Sequence, residues 1–408
     1  MLGTRDPDPT AGPASEAGTR NVPGSAAAGP DRRRAGPAGL VARLDAATPP
    51  GRDRSVDALR ALAILGVVLG HWLVTAFVTT GDGSQLRVTS PLSAMPAFAP
   101  VSWVLQTLAV FFLVGGYTAG RGHRPGEPWA PWARRRVGRL LRPVPVLLLA
   151  WVPATAALLW AGFSGDTARV LVKLVLSPLW FLLVYGALTA LAPLVVAAYR
   201  RAGVWGAAVP VAATAAVDAV RFGLGGPAWL GWATLLTGWL VPFYLGVAWA
   251  HGALGSRRAA ASLLAGGAAA TAALFLVAGY PASMVGVPGA EVSNLNPPTL
   301  AAVAFGVAQT GLALLVRNRL GRWMRRPWSW AAVALANLSA MTVFLWHQTA
   351  MMAVTVGAFL AAGPLPGLHT RPDHPGWALD RLCWLPAFAA ALAALWAAAG
   401  RFERPRRR

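Results

Sequence analysis

Apolar runs of about 20 residues recur through this chain from Val56 to Ala399, and that is the length a helix needs to cross a bilayer. Of its 408 residues 56% are hydrophobic and only 12% charged, roughly half the charge of an ordinary soluble domain. Alternation with period two is weak, which argues against an outer-membrane barrel. The expected fold class is therefore all-α: a polytopic transmembrane helix bundle. Its spans, about ten by periodicity, fall near 57–79, 101–120, 145–163, 177–198, 204–220, 232–250, 259–279, 299–316, 337–361 and 379–399. One membrane domain (52–400) lies between a tail rich in Arg, Ala, Pro and Gly (1–51), expected to be disordered, and a short basic tail (401–408).

The net charge of +21 would suggest nucleic acid in a soluble protein, but here its placement matters more. With the amino terminus in the cytoplasm, all but six of the 36 Lys and Arg fall on the inner side; the six are Arg87, Arg169, Lys173, Arg221, Arg371 and Arg381. This is the positive-inside bias of a bacterial cytoplasmic-membrane protein with both termini inside. The charge then reports topology and contact with anionic membrane lipid, not DNA. A single cysteine, Cys383, excludes an internal disulfide and a thiolate metal site.

The first span carries two ionisable residues that need a reason. Arg60 and His71 are eleven residues apart, so about 1100° of helical rotation brings them within about 20° of one face, roughly 16 Å apart along the axis. A buried imidazole loses the solvation of its charged form, which favours the neutral base. Gly66 and Gly70 beside it would admit another helix, or a thin substrate, at close range. Asp57 stands three residues before Arg60 and can pair with it across one turn. An interhelical hydrogen bond is the plainer use of a buried histidine, and a boundary ion pair the plainer use of Asp57.

Residues 121–144 read as an inner loop with a dense arginine register. Arg136, Arg139 and Arg142 recur every three residues, and Arg135 and Arg142 are seven apart, so a helical turn would gather them. Guanidinium forks match phosphate oxygens; topology and lipid headgroups account for the same cluster. Two later segments stand out. Ser177 to Leu182 opens the fourth span and puts Trp180 near the outer interface. In Met341 to Thr349, His347 and Gln348 lie at a depth where they could share a polar cavity with His71. His123, His251, His369 and His374 read as surface histidines, and His369, Asp373 and His374 lack the further ligands a metal site requires, so no metal is expected.

Taken in order, these segments resemble the membrane acyltransferase-3 family, over about residues 52–400. The resemblance rests on Asp57, Arg60 and His71, on Phe111, Phe112, Gly116 and Tyr117, and on Arg136, Arg139, Arg142 and Pro143. Leu179, Trp180 and Phe181, then Trp346, His347 and Gln348, complete it. Gly115 departs from the pattern, because the family has a serine there. The resemblance implies an enzyme that moves an acyl group, in the first instance acetyl, from acyl-CoA to a hydroxyl of a glycan, glycolipid or small molecule. It needs no permanently bound cofactor. Its implied catalytic residues are His71, Arg60 and Asp57. Arg60, Arg135, Arg136, Arg139 and Arg142 would hold the donor, and Trp180, His347 and Gln348 the acceptor. Homo-oligomers are compatible with this reading. A proton-coupled transporter or flippase of a glycan or lipid-linked metabolite would use the same deep histidine as a relay, although no inverted repeat is evident.

Overall fold

The computed structural model describes residues 36–80, 85–122 and 127–402; His123 and most of the two tails lie outside these. In chain order the helices are α1 (Pro37–Ala46), α2 (Arg54–Val74), α3 (Pro91–Ala94), α4 (Ala99–Leu105), α5 (Leu108–Gly122), α6 (Trp129–Leu141), α7 (Val144–Trp160), α8 (Gly165–Leu176) and α9 (Leu179–Ala190). They continue with α10 (Ala192–Ala202), α11 (Ala208–Asp218), α12 (Thr234–Ala250), α13 (Arg257–Leu276), α14 (Leu300–Trp323), α15 (Pro327–Leu338), α16 (Ala340–Ala362), α17 (Pro375–Cys383) and α18 (Leu385–Ala399). Among the described residues ten stretches are long and apolar enough to cross a membrane. The expected all-α bundle is thus the observed one, with one small addition. The antiparallel hairpin β1 (Ala76–Thr79) and β2 (Leu86–Thr89) follows α2 directly.

Several spans are broken helices, and this corrects the boundaries read from hydropathy. The fourth begins at Gly165 and runs to Ala190, with Ser177–Pro178 between its halves. Asp166, Arg169 and Lys173 made α8 read as loop. They share one outward face, while Thr167, Ala168, Leu171 and Val175 are buried on the other. Trp180 is therefore well inside the span, not at an interface. Likewise the arginine-rich loop contains a helix, α6, whose buried contacts are Trp132 and Ala133. Part of the tail expected to be disordered is ordered too: α1 packs on α15, Arg54 pairs with Asp45 at 2.8 Å, and the Trp330 indole donates to Thr48 at 2.8 Å.

Close helix contacts depend on glycine. A Cβ on Gly116 of α5 would lie 1.9 Å from the Phe243 carbonyl oxygen of α12, and one on Gly246 would lie 2.1 Å from that of Leu113. The two backbones touch there, and no larger residue fits.

At the end of the bundle that carries the hairpin, the segment from Pro281 to Thr299 is built rather than loose. The Asn294 amide donates to the carbonyls of Pro281 (2.6 Å) and Ser283 (3.0 Å), and Thr299 donates to Asn294 at 2.8 Å. His369 belongs to this end and is 1% exposed, correcting its reading as a surface residue. Its Nδ1 accepts from Leu365 N–H at 3.0 Å and its Nε2–H donates to the Thr355 carbonyl at 2.9 Å. Burial, then the nearby Arg381 cation, pushes its pKa below the ordinary 6.5. Protonation would also set a new Nδ1–H against the Leu365 donor. Because the unfolded chain binds the proton more readily, this group contributes stability above about pH 6.5 that is lost as the pH falls below it. Thermal unfolding of the detergent-solubilised protein should show a falling midpoint from pH 7 to 5. His369→Gln, which can keep both hydrogen bonds without titrating, should flatten that slope.

Candidate active site

His71 sits in the last turns of α2, where Gly66 and Gly70 open one face. The neighbour they admit is the break in the second span. A Cβ on Gly66 would lie 2.4 Å from Thr107 Oγ1, whose hydroxyl donates to the Ala63 carbonyl at 2.7 Å, and one on Gly70 would lie 3.5 Å from Leu105 Cβ. From the other side α16 approaches. The Trp72 indole donates to the His347 carbonyl at 3.0 Å, and the Gln348 amide nitrogen lies 2.9 Å from His71 Nδ1.

The orientation of the Gln348 amide sets which nitrogen can act as the base. With the Gln348 NH₂ toward Nδ1, the proton of a neutral imidazole stays on Nε2, and Gln348 Oε1 has no partner. With the amide turned, Oε1 accepts from Nδ1–H and Nε2 presents a lone pair. Nε2 of His71 has no protein partner among the described residues, and His71 lines a cavity of about 340 Å³. Gln106, Trp180, Phe181 and Phe344 share its walls, with Ser90, Val285 and Asn296 toward the hairpin end.

A second cavity, about 590 Å³, lies toward the arginine-rich end. Arg52, Arg60, Arg136 and Arg139 line it, together with Tyr185 and Met341, and no carboxylate among the described residues does. Arg136 is held over the Trp132 ring at 4.7 Å. Arg60 is fixed from two sides, donating to Asp57 at 2.5 Å and to Asn337 at 2.7 Å. Arg52 grips the same carboxylate with two donors, at 2.6 and 3.0 Å, and that pairing raises its pKa. Between the two cavities stands an aromatic layer. Phe111 packs on Phe181 (5.1 Å) and Tyr185 (5.2 Å), and Phe181 on Phe344 (5.1 Å). It is thin: Phe181 and Tyr185 are one turn apart on α9, Met341 and Phe344 nearly so on α16.

The sequence model described as an acyltransferase domain, acyltransferase-3, matches residues 53–401. The chain belongs to that family. No curated protein and no solved structure matches it. It is a multi-pass membrane protein whose bundle is an acyltransferase-3 domain.

Within that domain the expected site residues divide into groups. Arg60, Arg136 and Arg139 converge on one cavity; His71 and Trp180 line the other. Arg135 turns away to pair with Glu127, and Arg142 is exposed, so neither joins the cluster: they stand on another side of α6. Asp57 is buried in its two ion pairs at the arginine end, about 21 Å along the helix from His71, and it does not reach the imidazole. His347 and Gln348 are both 0% exposed and stand behind His71 rather than in its cavity. The His347 ring lies 5.1 Å from that of His71, and its Nδ1 meets the Phe344 carbonyl at 2.7 Å.

Gly115, where the sequence resemblance leads one to expect serine, is explained by its neighbour. A Cβ there would lie 2.5 Å from Tyr185 Cε2 and 3.0 Å from its hydroxyl. A phenol from α9 therefore occupies the place of a side chain from α5.

Sequence reasoning missed Arg52, Gln106, Asn337, Tyr185 and Arg381. Arg52 counts in the sequence only among the inner-side charges, although its spacing from Asp57 is a signal. Arg381, counted only as an outer-side charge, is 0% exposed. It donates to the carbonyls of Trp72 (2.7 Å), Thr75 (2.9 Å) and Gly367 (3.1 Å) and stacks on Phe388 at 4.7 Å. A cation at the carbonyl end of α2 is well placed against the helix dipole, and it anchors the turn that carries His71.

Proposed function

We propose that this protein is an integral membrane O-acyltransferase of the bacterial cytoplasmic membrane. It takes an acyl group, acetyl in the simplest case, from cytoplasmic acyl-CoA. It delivers that group to a hydroxyl of an extracytoplasmic or membrane-associated glycan, glycolipid or small molecule. The observation that carries this reading is the pair of cavities on one helix. A pocket lined by four arginines, two of them sharing the single carboxylate of Asp57, lies one aromatic layer below a pocket floored by a histidine.

The chemistry follows from what each end offers. Guanidinium donors bind the phosphates of the nucleotide part, which is too charged to pass the layer. The uncharged pantetheine arm is thin enough to thread between Phe181, Tyr185 and Phe344 once these rings shift. The acceptor enters from the hairpin end, where Trp180 offers a flat face to a sugar or other ring. His71 takes the hydroxyl proton as the oxygen attacks the thioester carbon. Gln348 holds the ring and its tautomer, and Arg381 holds the backbone behind it. A proton relay in a transporter would also use His71, but four guanidinium groups set against one carboxylate favour a phosphate-bearing donor over a proton.

Acyl transfer from radiolabelled acetyl-CoA by purified protein, with a panel of hydroxyl acceptors, tests the reading. It fails if the wild type labels no acceptor while reconstituted vesicles move a glycan in a His71-dependent way. The donor site has its own test. Arg136→Ala and Arg139→Ala should each raise the KM for acyl-CoA about 10- to 100-fold, the value of a charge-assisted hydrogen bond. Arg135→Ala and Arg142→Ala should leave it unchanged.

A further inference from the structure

The second span is interrupted beside His71, and nothing in the reading above uses the interruption. α4 ends at Leu105, and Gln106 is extended at φ −79°, ψ 95°. The chain resumes as α5 at Leu108, a helix of 15 residues. Its first backbone bond runs from Phe111 N–H to the Thr107 carbonyl at 3.2 Å, so the N–H groups of Leu108, Ala109 and Val110 find no backbone acceptor. Leu108 and Gln106 both line the His71 cavity. Gln106 is itself 4% exposed, its side-chain oxygen has no partner, and its NH₂ donates to no acceptor among the described residues. The break is held in place: Thr107 donates to the Ala63 carbonyl at 2.7 Å, and the Gln309 amide donates to the Gln106 carbonyl. A break in a spanning helix is tolerated only where it is buried in protein or lines a cavity. Here it aims the positive end of α5 and an uncommitted amide at the space His71 faces.

We propose that this break is an oxyanion site. Leu108 N–H and the Gln106 side-chain amide bind the carbonyl oxygen of the acyl group as it turns tetrahedral. The inference rests on the acyl-transfer reading and adds where the charge goes. The acceptor oxygen bonds to the thioester carbon while its proton passes to His71, and the carbonyl π pair moves onto oxygen. That oxygen is held by the two donors and the α5 dipole. As the carbonyl re-forms, the carbon–sulfur bond breaks, and the departing thiolate takes the proton back from His71. The products are the ester and free CoA thiol. Gln106 is thus a catalytic residue, since it touches the reacting oxygen.

Two CoA analogues test this on the full chain in detergent or nanodiscs. The trifluoromethyl ketone analogue of acetyl-CoA hydrates to a tetrahedral mimic, whereas the S-ethyl thioether cannot. The wild type should prefer the ketone. Gln106→Leu should lower kcat about 100-fold and remove a similar factor of that preference, with thioether affinity unchanged. Leu108→Pro deletes the other donor at the first helical position, where proline is tolerated, and should do the same. A wild type that transfers acyl groups but shows no ketone preference would overturn the oxyanion site alone. So would either variant if it folds and keeps the preference. A wild type that transfers nothing would instead overturn the enzyme reading on which the site depends.

Discussion

His71→Ala should lower the rate of acyl transfer about 100- to 10,000-fold, the range that a positioned general base supplies, while acyl-CoA binds as before. The two effects separate because the arginine cavity and the histidine cavity lie on opposite sides of the Phe111–Phe181–Phe344 layer. Direct binding of radiolabelled acyl-CoA and single-turnover transfer, measured on the same preparation, check both halves. Loss of binding along with transfer would mean that His71 supports the donor pocket and is not the base. Gln348→Leu offers a graded companion. It removes the 2.9 Å contact to Nδ1 but not the imidazole, so it should cost less than His71→Ala. It should also change the pH profile of transfer, because the ring is then free to exchange tautomers. An unchanged profile would assign Gln348 to packing.

Asp57→Ala should have its largest effect on stability. The carboxylate is 4% exposed and accepts from both Arg52 and Arg60. Breaking a buried ion pair from one side costs about 3–5 kcal/mol. Both arginines are partly exposed, so water can recover some of that loss, and the expected cost is about 3 kcal/mol. The melting temperature in detergent should fall, and the KM for acyl-CoA should rise as Arg60 loses one of its two anchors. The kcat of the folded fraction should stay near that of wild type. Should kcat collapse with the melting temperature intact, Asp57 would belong to the chemistry, and the ion-pair role assigned to it would be wrong. Arg60→Ala supplies the control: it removes the donor contact directly and leaves Asp57 paired with Arg52.

The same residues show how far the sequence could be read. The number of spans, the helical class, the shared face of Arg60 and His71 and the Asp57–Arg60 pair were legible. Each depends on spacing within one element, where the helical repeat converts residue number into direction. The fourth span was misplaced because three charges on one face of α8 lowered its mean hydropathy. A window average discards the face on which a charge lies. The arginine register was visible as a cluster, yet its members could not be ranked. Whether Arg136 or Arg135 faces the cavity depends on how Trp132 and Ala133 seat α6 against its neighbours.

What the sequence by itself determined, then, is that this is a multi-pass helix bundle with a deep histidine on the same helix face as an arginine near its mouth. Only the tertiary structure decided what stands around that histidine. Gln348 comes to it from 277 residues away, and Arg381 from more than 300 residues away closes the end of its helix. Gln106 and the start of α5 reach it because glycines at 66 and 70 leave room. Those partners are chosen by which helices cross and how closely they approach. Crossing is a property of packed surfaces from distant parts of the chain, which no local repeat encodes.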